Sequence, residues 1–223
     1  MSATEKISLS IESSALPYGV VLSAGSEILF DSTQHTELQT LKDAPALAKH
    51  AFKATGRKAS DLKRIAINQG PGGTSAIRAG VAFANSLAYS LGIPIIAVNT
   101  FELLGAPATA RYNCPTVVTV KSIKGNAYVG LYADGAVQQT LYGPMEETVR
   151  KALGEHTTWA VAGAHREQLI TAFPEHTIYD TGYKFGLATD MVPMLPNLGS
   201  RELRFPQFVV PITEQSLMFK QGE

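Results

Sequence analysis

IAINQGPGGTSAIRAGVAFANSLAYSLGIPIIAV, residues 65–98, is the stretch that decides how this chain folds. Ile65 to Asn68 is a short apolar run of strand length, and Gly70-Pro71-Gly72-Gly73 cannot continue either a strand or a helix. From Thr74 the apolar residues Ile77, Val81, Ala84, Ala88 and Leu91 recur every three or four positions, so a helix is expected over about 74–91, with Gly92 as its stop. Ile93 to Val98 reads as a second strand. Strand, helix and strand joined by short loops imply a parallel crossover and an α/β layer structure.

Upstream, Ile7, Leu9 and Ile11 alternate with Ser8, Ser10 and Glu12, the two-residue period of a strand with one apolar face. Gly19 to Leu22 and Glu27 to Phe30 flank the turn Ala24-Gly25-Ser26, so a three-stranded meander opens the chain. A helix is expected from about Thr36 to Thr55, stopped by Gly56 and either kinked or divided at Pro45. Downstream the plan recurs, with strands over 116–121, 127–132 and 136–141, a helix over 145–153, and a strand, helix and strand over 159–162, 164–173 and 177–179. A shift of 110 lays Ala24-Gly25 on Asp134-Gly135, which points to an internal duplication. Two subdomains are expected, over 1–108 and 109–223, the second ending in an irregular tail broken by Pro193, Pro196, Pro206 and Pro211.

Nineteen basic residues balance nineteen acidic ones among 223, which excludes a histone-like or polybasic role. The single cysteine, Cys114, excludes an internal disulfide and a Cys-rich metal site. No Asp, Glu, Lys or Arg lies between Arg78 and Glu102, but Asn85, Ser86, Gly92, Pro94 and Asn99 interrupt the span, so a helix followed by a strand fits better than a membrane crossing. The opening MSATEKISLS has no apolar run of signal-peptide length, and a cytoplasmic protein is expected.

Four features could carry function. Gly70, Gly72, Gly73, Thr74 and Ser75 form a glycine-rich strand-to-helix loop whose N–H groups and hydroxyls could hold an anion, although no lysine precedes Thr74 as in a Walker loop. A meander followed by a helix, occurring twice, resembles the plan of the actin, Hsp70 and sugar-kinase superfamily; phosphate chemistry there needs turn glycines and a carboxylate in each half. Glu12-Ser13-Ser14-Ala15 and Lys121-Ser122-Ile123-Lys124 occupy those places, without a glycine and with lysine for the second acid, so phosphoryl transfer is not expected. The helix over 74–91 presents Ala79, Ala82, Phe83, Ser86 and Tyr89 away from its core stripe with only Arg78 charged, a surface suited to another subunit. Lys49, Lys53, Arg57, Lys58, Lys63 and Arg64 face Asp61 alone and could touch RNA phosphate. His35, His50, His156, His165 and His176 have no ligand spacing, so no metal or cofactor is expected, and no Gly-x-Ser-x-Gly elbow marks a hydrolase.

The run Ile65 to Gly72, with Ile77-Arg78-Ala79-Gly80 and Leu91-Gly92-Ile93-Pro94, resembles the bacterial TsaB (YeaZ) family, which usually reads Gly-Pro-Gly-Ser-Phe-Thr-Gly-Leu-Arg-Ile-Gly at this point. Leu9-Ser10-Ile11-Glu12, His35-Thr36-Glu37-Leu38 and Thr100-Phe101-Glu102 extend the resemblance over roughly residues 7–105. Gly73 to Ala76, and Lys121-Ser122-Ile123 where the family usually has Asp-Ala-Arg, depart from it. The resemblance implies a duplicated actin-like (ribonuclease H-like) α/β fold and a non-catalytic subunit of the assembly that makes threonylcarbamoyladenosine beside the tRNA anticodon. It implies a TsaD-like catalytic partner, a TsaE-like ATPase as a further partner, and a homodimer when alone. His35, Leu38, Arg78, Ala79, Ala82, Phe83, Ser86 and Tyr89 are the expected interface, with tRNA contact weak or indirect. An ATP-dependent small-molecule kinase, a paralogous interaction module and a self-contained anion-binding module are the rival readings.

Overall fold

The structure, a computed structural model, describes residues 6–218 apart from Lys42, so the reading of the first five residues lies outside it. Contacts group the chain into two compact units, one of residues up to Val98 with Leu187–Pro211, the other Asn99–Gly186 with residues from Ile212. The boundary expected at 108/109 falls inside a helix of the second unit, and most of the proline-broken tail belongs to the first.

In the first unit, β1 (Ile7–Glu12), β2 (Gly19–Ala24) and β3 (Glu27–Asp31) form the expected meander. Two short 3-10 turns precede α1 (Ala44–Thr55). Then follow β4 (Arg64–Asn68), α2 (Thr74–Leu91) and β5 (Ile95–Val98). The helix expected from Thr36 is thus divided before Pro45, which sits in the first turn of α1 where its missing N–H costs nothing, behind Asp43 as N-cap. Gly56 and Gly92 stop α1 and α2 in the left-handed conformation.

Ile7, Leu9 and Ile11 join Leu47, Ala51, Ile77, Val81 and Ala84 in one core under α1 and α2. The alternate residues Ser8, Ser10 and Glu12, read as a polar face, are equally buried. The tail causes this. It supplies α6 (Ala188–Met191), a 3-10 run over Val192–Arg201 and β11 (Glu202–Leu203), and Ala188 and Val192 pack on Val21. The Arg64 guanidinium donates from Nε to Ser8 Oγ at 2.8 Å and from Nη1 to the Leu195 carbonyl at 3.3 Å, fastening tail to sheet.

The second unit opens with α3 (Thr100–Tyr112). It continues through β6 (Thr116–Lys121), β7 (Asn126–Ala133), β8 (Ala136–Pro144), α4 (Met145–Leu153), β9 (Thr158–Gly163), α5 (Arg166–Ala172) and β10 (Thr177–Asp180), with α7 (Glu214–Met218) at the end. Trp159, Phe173, Val149 and Leu169 fill the core beneath α4 and α5. On the other face α3 lies close to β7, because a side chain at Gly130 would strike the Phe101 ring and one at Gly105 would strike Tyr132.

Strand order is β11-β5-β4-β1-β2-β3 in one sheet and β10-β9-β6-β7-β8 in the other. Apart from β11 the two orders correspond strand for strand, which establishes the duplication. Its register is 109 rather than 110, since β1, the end of β2 and the start of β3 fall on β6, the end of β7 and the start of β8 at that offset. Glu12 and Lys121 therefore occupy equivalent positions.

Candidate functional site

Glu12 ends β1 wholly inside the first unit, and its carboxylate is spoken for. It accepts the Ser14 N–H on one oxygen and Asn68 Nδ2 on the other at 2.6 Å. Burial pushes its pKa up to about 7, against the pull of the Ser14 and Asn68 bonds, and the nearby Asp190 raises it further. Asn68 also donates to Ser14 Oγ at 3.2 Å, while its Oδ1 accepts the Gly70 N–H at 2.9 Å. The Gly73 N–H donates to the Ser14 carbonyl at 2.8 Å, and a side chain at Gly72 would land on that carbonyl. In the Gly70, Gly72, Gly73, Thr74, Ser75 loop, two of the N–H groups offered to an anion are thus consumed, that of Gly73 by the Ser14 carbonyl and that of Gly70 by the Asn68 side chain. Asn68 and Asp190 were missed by the sequence reading. Asn68 had a signal, an Asx residue just ahead of a glycine turn, whereas Asp190 comes from the tail.

In the second unit, Lys121 ends β6, and the His165 N–H donates to Thr119 Oγ1 at 3.2 Å. The His165 ring is held below the ordinary histidine range by burial and by the Lys121 charge. Among the described residues no group of three or more His, Cys, Asp or Glu could hold a metal, and no helix is long and apolar enough to cross a membrane. Cys114 is half-buried, which raises its thiol pKa.

Of the apolar stripe of α2, Ile77, Val81, Ala84 and Ala88 are buried and Leu91 is half-buried, whereas Arg78, Ala79, Ala82 and Ser86 are exposed. Phe83 is half-buried against the core. Tyr89 stays 61% exposed, with its ring 5.0 Å from Phe205 of the tail. The tail covers only one flank of α2, where Asn85 exchanges two hydrogen bonds with the backbone of Val209 at 2.9 and 3.0 Å. His35 stacks on Phe30 at 4.8 Å and remains partly exposed. Leu38 does not belong to a surface: it is 4% exposed and sits in the core with Leu47, so it leaves the expected interface set. Of the cationic segment, Lys49, Lys53, Arg57, Lys58 and Lys63 are exposed and Arg64 is structural.

Two units of matching strand order, each a mixed sheet opened by a meander, define a duplicated actin-like α/β protein. The family model described as "TsaD: tRNA N6-adenosine threonylcarbamoyltransferase" matches residues 34–197, and the chain belongs to that family, as a member of its TsaB/YeaZ kind. It is 36% identical over 84 residues to the tRNA threonylcarbamoyladenosine biosynthesis protein TsaB of Bacillus subtilis, 36% of each chain. To the TsaB protein of Buchnera aphidicola it is 32% identical over 94 residues, 42% of this chain and 44% of that one. The chain thus matches less than half the length of these relatives. In fold it resembles YeaZ from Pseudomonas aeruginosa, with TM-score 0.72 at 17% identity, covering 93% of this chain and 99% of the other.

Proposed function

We propose that this chain is the non-catalytic subunit of an assembly that forms threonylcarbamoyladenosine in tRNA, and that it binds and activates a TsaD-like catalytic subunit through the outer face of α2. The observation that carries the reading is that face: Ala79, Ala82 and Ser86 lie open to water with Arg78 as their one charged neighbour, although 17% of the chain is charged. Small residues let a partner helix approach closely, Phe83 and Tyr89 flank them on the same helix as larger contacts, and His35 is proposed as a further contact of the same interface. Family membership supports a TsaD-like protein as the partner.

The carboxylate and the glycine loop act within the fold. Glu12, a candidate metal-organising acid, is engaged by Ser14 and Asn68, and Lys121 stands at the equivalent place in the other unit. A chain so built serves as scaffold rather than phosphoryl-transfer enzyme, resides in the cytoplasm with the tRNA machinery, and needs no cofactor of its own. A TsaE-like ATPase joins the same assembly, and the α2 face pairs with a second copy when no partner is present. Co-purification from the native cell tests the reading, with a TsaD-like protein expected in stoichiometric yield. Calorimetry with ATP and magnesium tests the rival kinase: micromolar binding lost in Glu12→Ala favours the kinase.

A further inference from the structure

We propose that the end of the first unit's sheet remote from the Gly70–Ser75 loop is a surface for single-stranded RNA, with cations for phosphate and an aromatic pair for a base. Strands β1, β4 and β5 run parallel, so their amino-terminal ends lie together, and β11, antiparallel to β5, brings Arg204 and Phe205 to the same end. Lys6 precedes β1, Lys63 precedes β4, and Arg204 follows β11, which spaces these cations over three strand intervals of roughly 5 Å each. The carboxyl termini of α1 and α2 reach this end too, with Lys53, Arg57 and Lys58 on one side and Tyr89 on the other.

The helix dipole favours a cation only in a last turn, so it accounts for Lys53 and not for Lys6, Arg57, Lys58 or Lys63. None of these five makes an ion pair among the described residues. The acids nearby are Glu27, Asp61, which accepts the Lys58 N–H, and Glu202, 3.8 Å from Arg204. Beside the cations, Tyr89, Gly92, Ile93, Arg204, Phe205 and Phe208 line an open cavity of about 270 Å³. Phe205 is 63% exposed and lies between Tyr89 and Phe208, at 5.0 and 5.8 Å. Exposed rings with Arg204 beside them, and unpaired cations along the same end of the sheet, match what a single strand offers, π faces carried on a line of charge. A planar anionic bilayer has to meet Glu27, Asp61 and Glu202 at once, whereas a strand threads between them.

The choice of RNA rests on the reading above; the surface does not. The test is fluorescence anisotropy of a labelled oligouridine with the full chain and no partner protein, so failure here leaves the partner reading untouched. The parent should bind at low salt, and Lys58→Gln/Lys63→Gln should flatten the plot of log affinity against log salt by about 1.4, roughly 0.7 per cation. Phe205→Ala and Tyr89→Ala should each weaken binding about fivefold or more with the slope unchanged, and Lys151→Gln, in the other unit, should change nothing. Absence of binding at low salt, or variants that bind as the parent does, overturns the proposal. So does equal binding to phosphatidylserine vesicles with the same dependence on Phe205, which assigns the surface to a membrane.

Discussion

Glu12 and Asn68 clasp each other across the carboxyl ends of the neighbouring parallel strands β1 and β4, with Glu12 Oε2 accepting Asn68 Nδ2 at 2.6 Å. The clasp reaches further, because Glu12 also holds Ser14 and Asn68 also holds Gly70, so one buried pair fixes both the meander turn and the entry to α2.

The burial of Glu12 has a measurable pH consequence. Its pKa in the folded chain, about 7, lies above the ordinary 4.5, so the folded state holds the proton more tightly than the unfolded one. The associated stability is complete below about pH 4.5 and lost as pH rises to about 7, an upper limit on the order of 3 kcal/mol. His165, shifted down, acts in the opposite sense as pH falls below its ordinary 6.5, so the comparison is made against Glu12→Gln. Thermal melts between pH 4.5 and 8 should show the parent losing stability relative to that variant up to about pH 7 and running parallel above it. Parallel curves throughout contradict the account.

Gly72→Ala should destabilise the chain by about 2 kcal/mol or more, since the added methyl meets the Ser14 carbonyl, a backbone atom already committed to the Gly73 N–H. Urea unfolding measures it, and a change below about 0.5 kcal/mol means that the turn and the loop are not locked together.

Leu38→Ala should cost about 2–5 kcal/mol in the same experiment, as expected for a core leucine, and should leave partner affinity unchanged in the remaining folded chain. Weakened association without loss of stability returns Leu38 to the interface.

Leu38 also marks how far the sequence could be read. The period-two pattern of β1 and the 3.6-residue pattern of α2 are local, and both elements form where the pattern put them. Leu38 reads from the sequence as part of an interface helix from Thr36, where the structure has a tight turn, because Pro45 starts α1 instead of lying within it. Ser8 and Ser10 alternate like surface residues and are buried by a tail about 180 residues later in the chain, a contact that no local period encodes. Phe205 escaped notice for the same reason: only the pairing of β11 with β5 brings it beside Tyr89. The outer face of α2 was legible because a missing charge is a local fact.

That face carries the central claim, and Ala82→Glu tests it most directly. Ala82 is exposed on α2 and faces away from the core, so the variant should melt within about 1 °C of the parent. A carboxylate buried without a partner at the centre of a contact should weaken association with the TsaD-like protein, measured by sedimentation velocity of the mixed chains, by at least about thirtyfold. Association of the folded variant at the parent's strength contradicts the account.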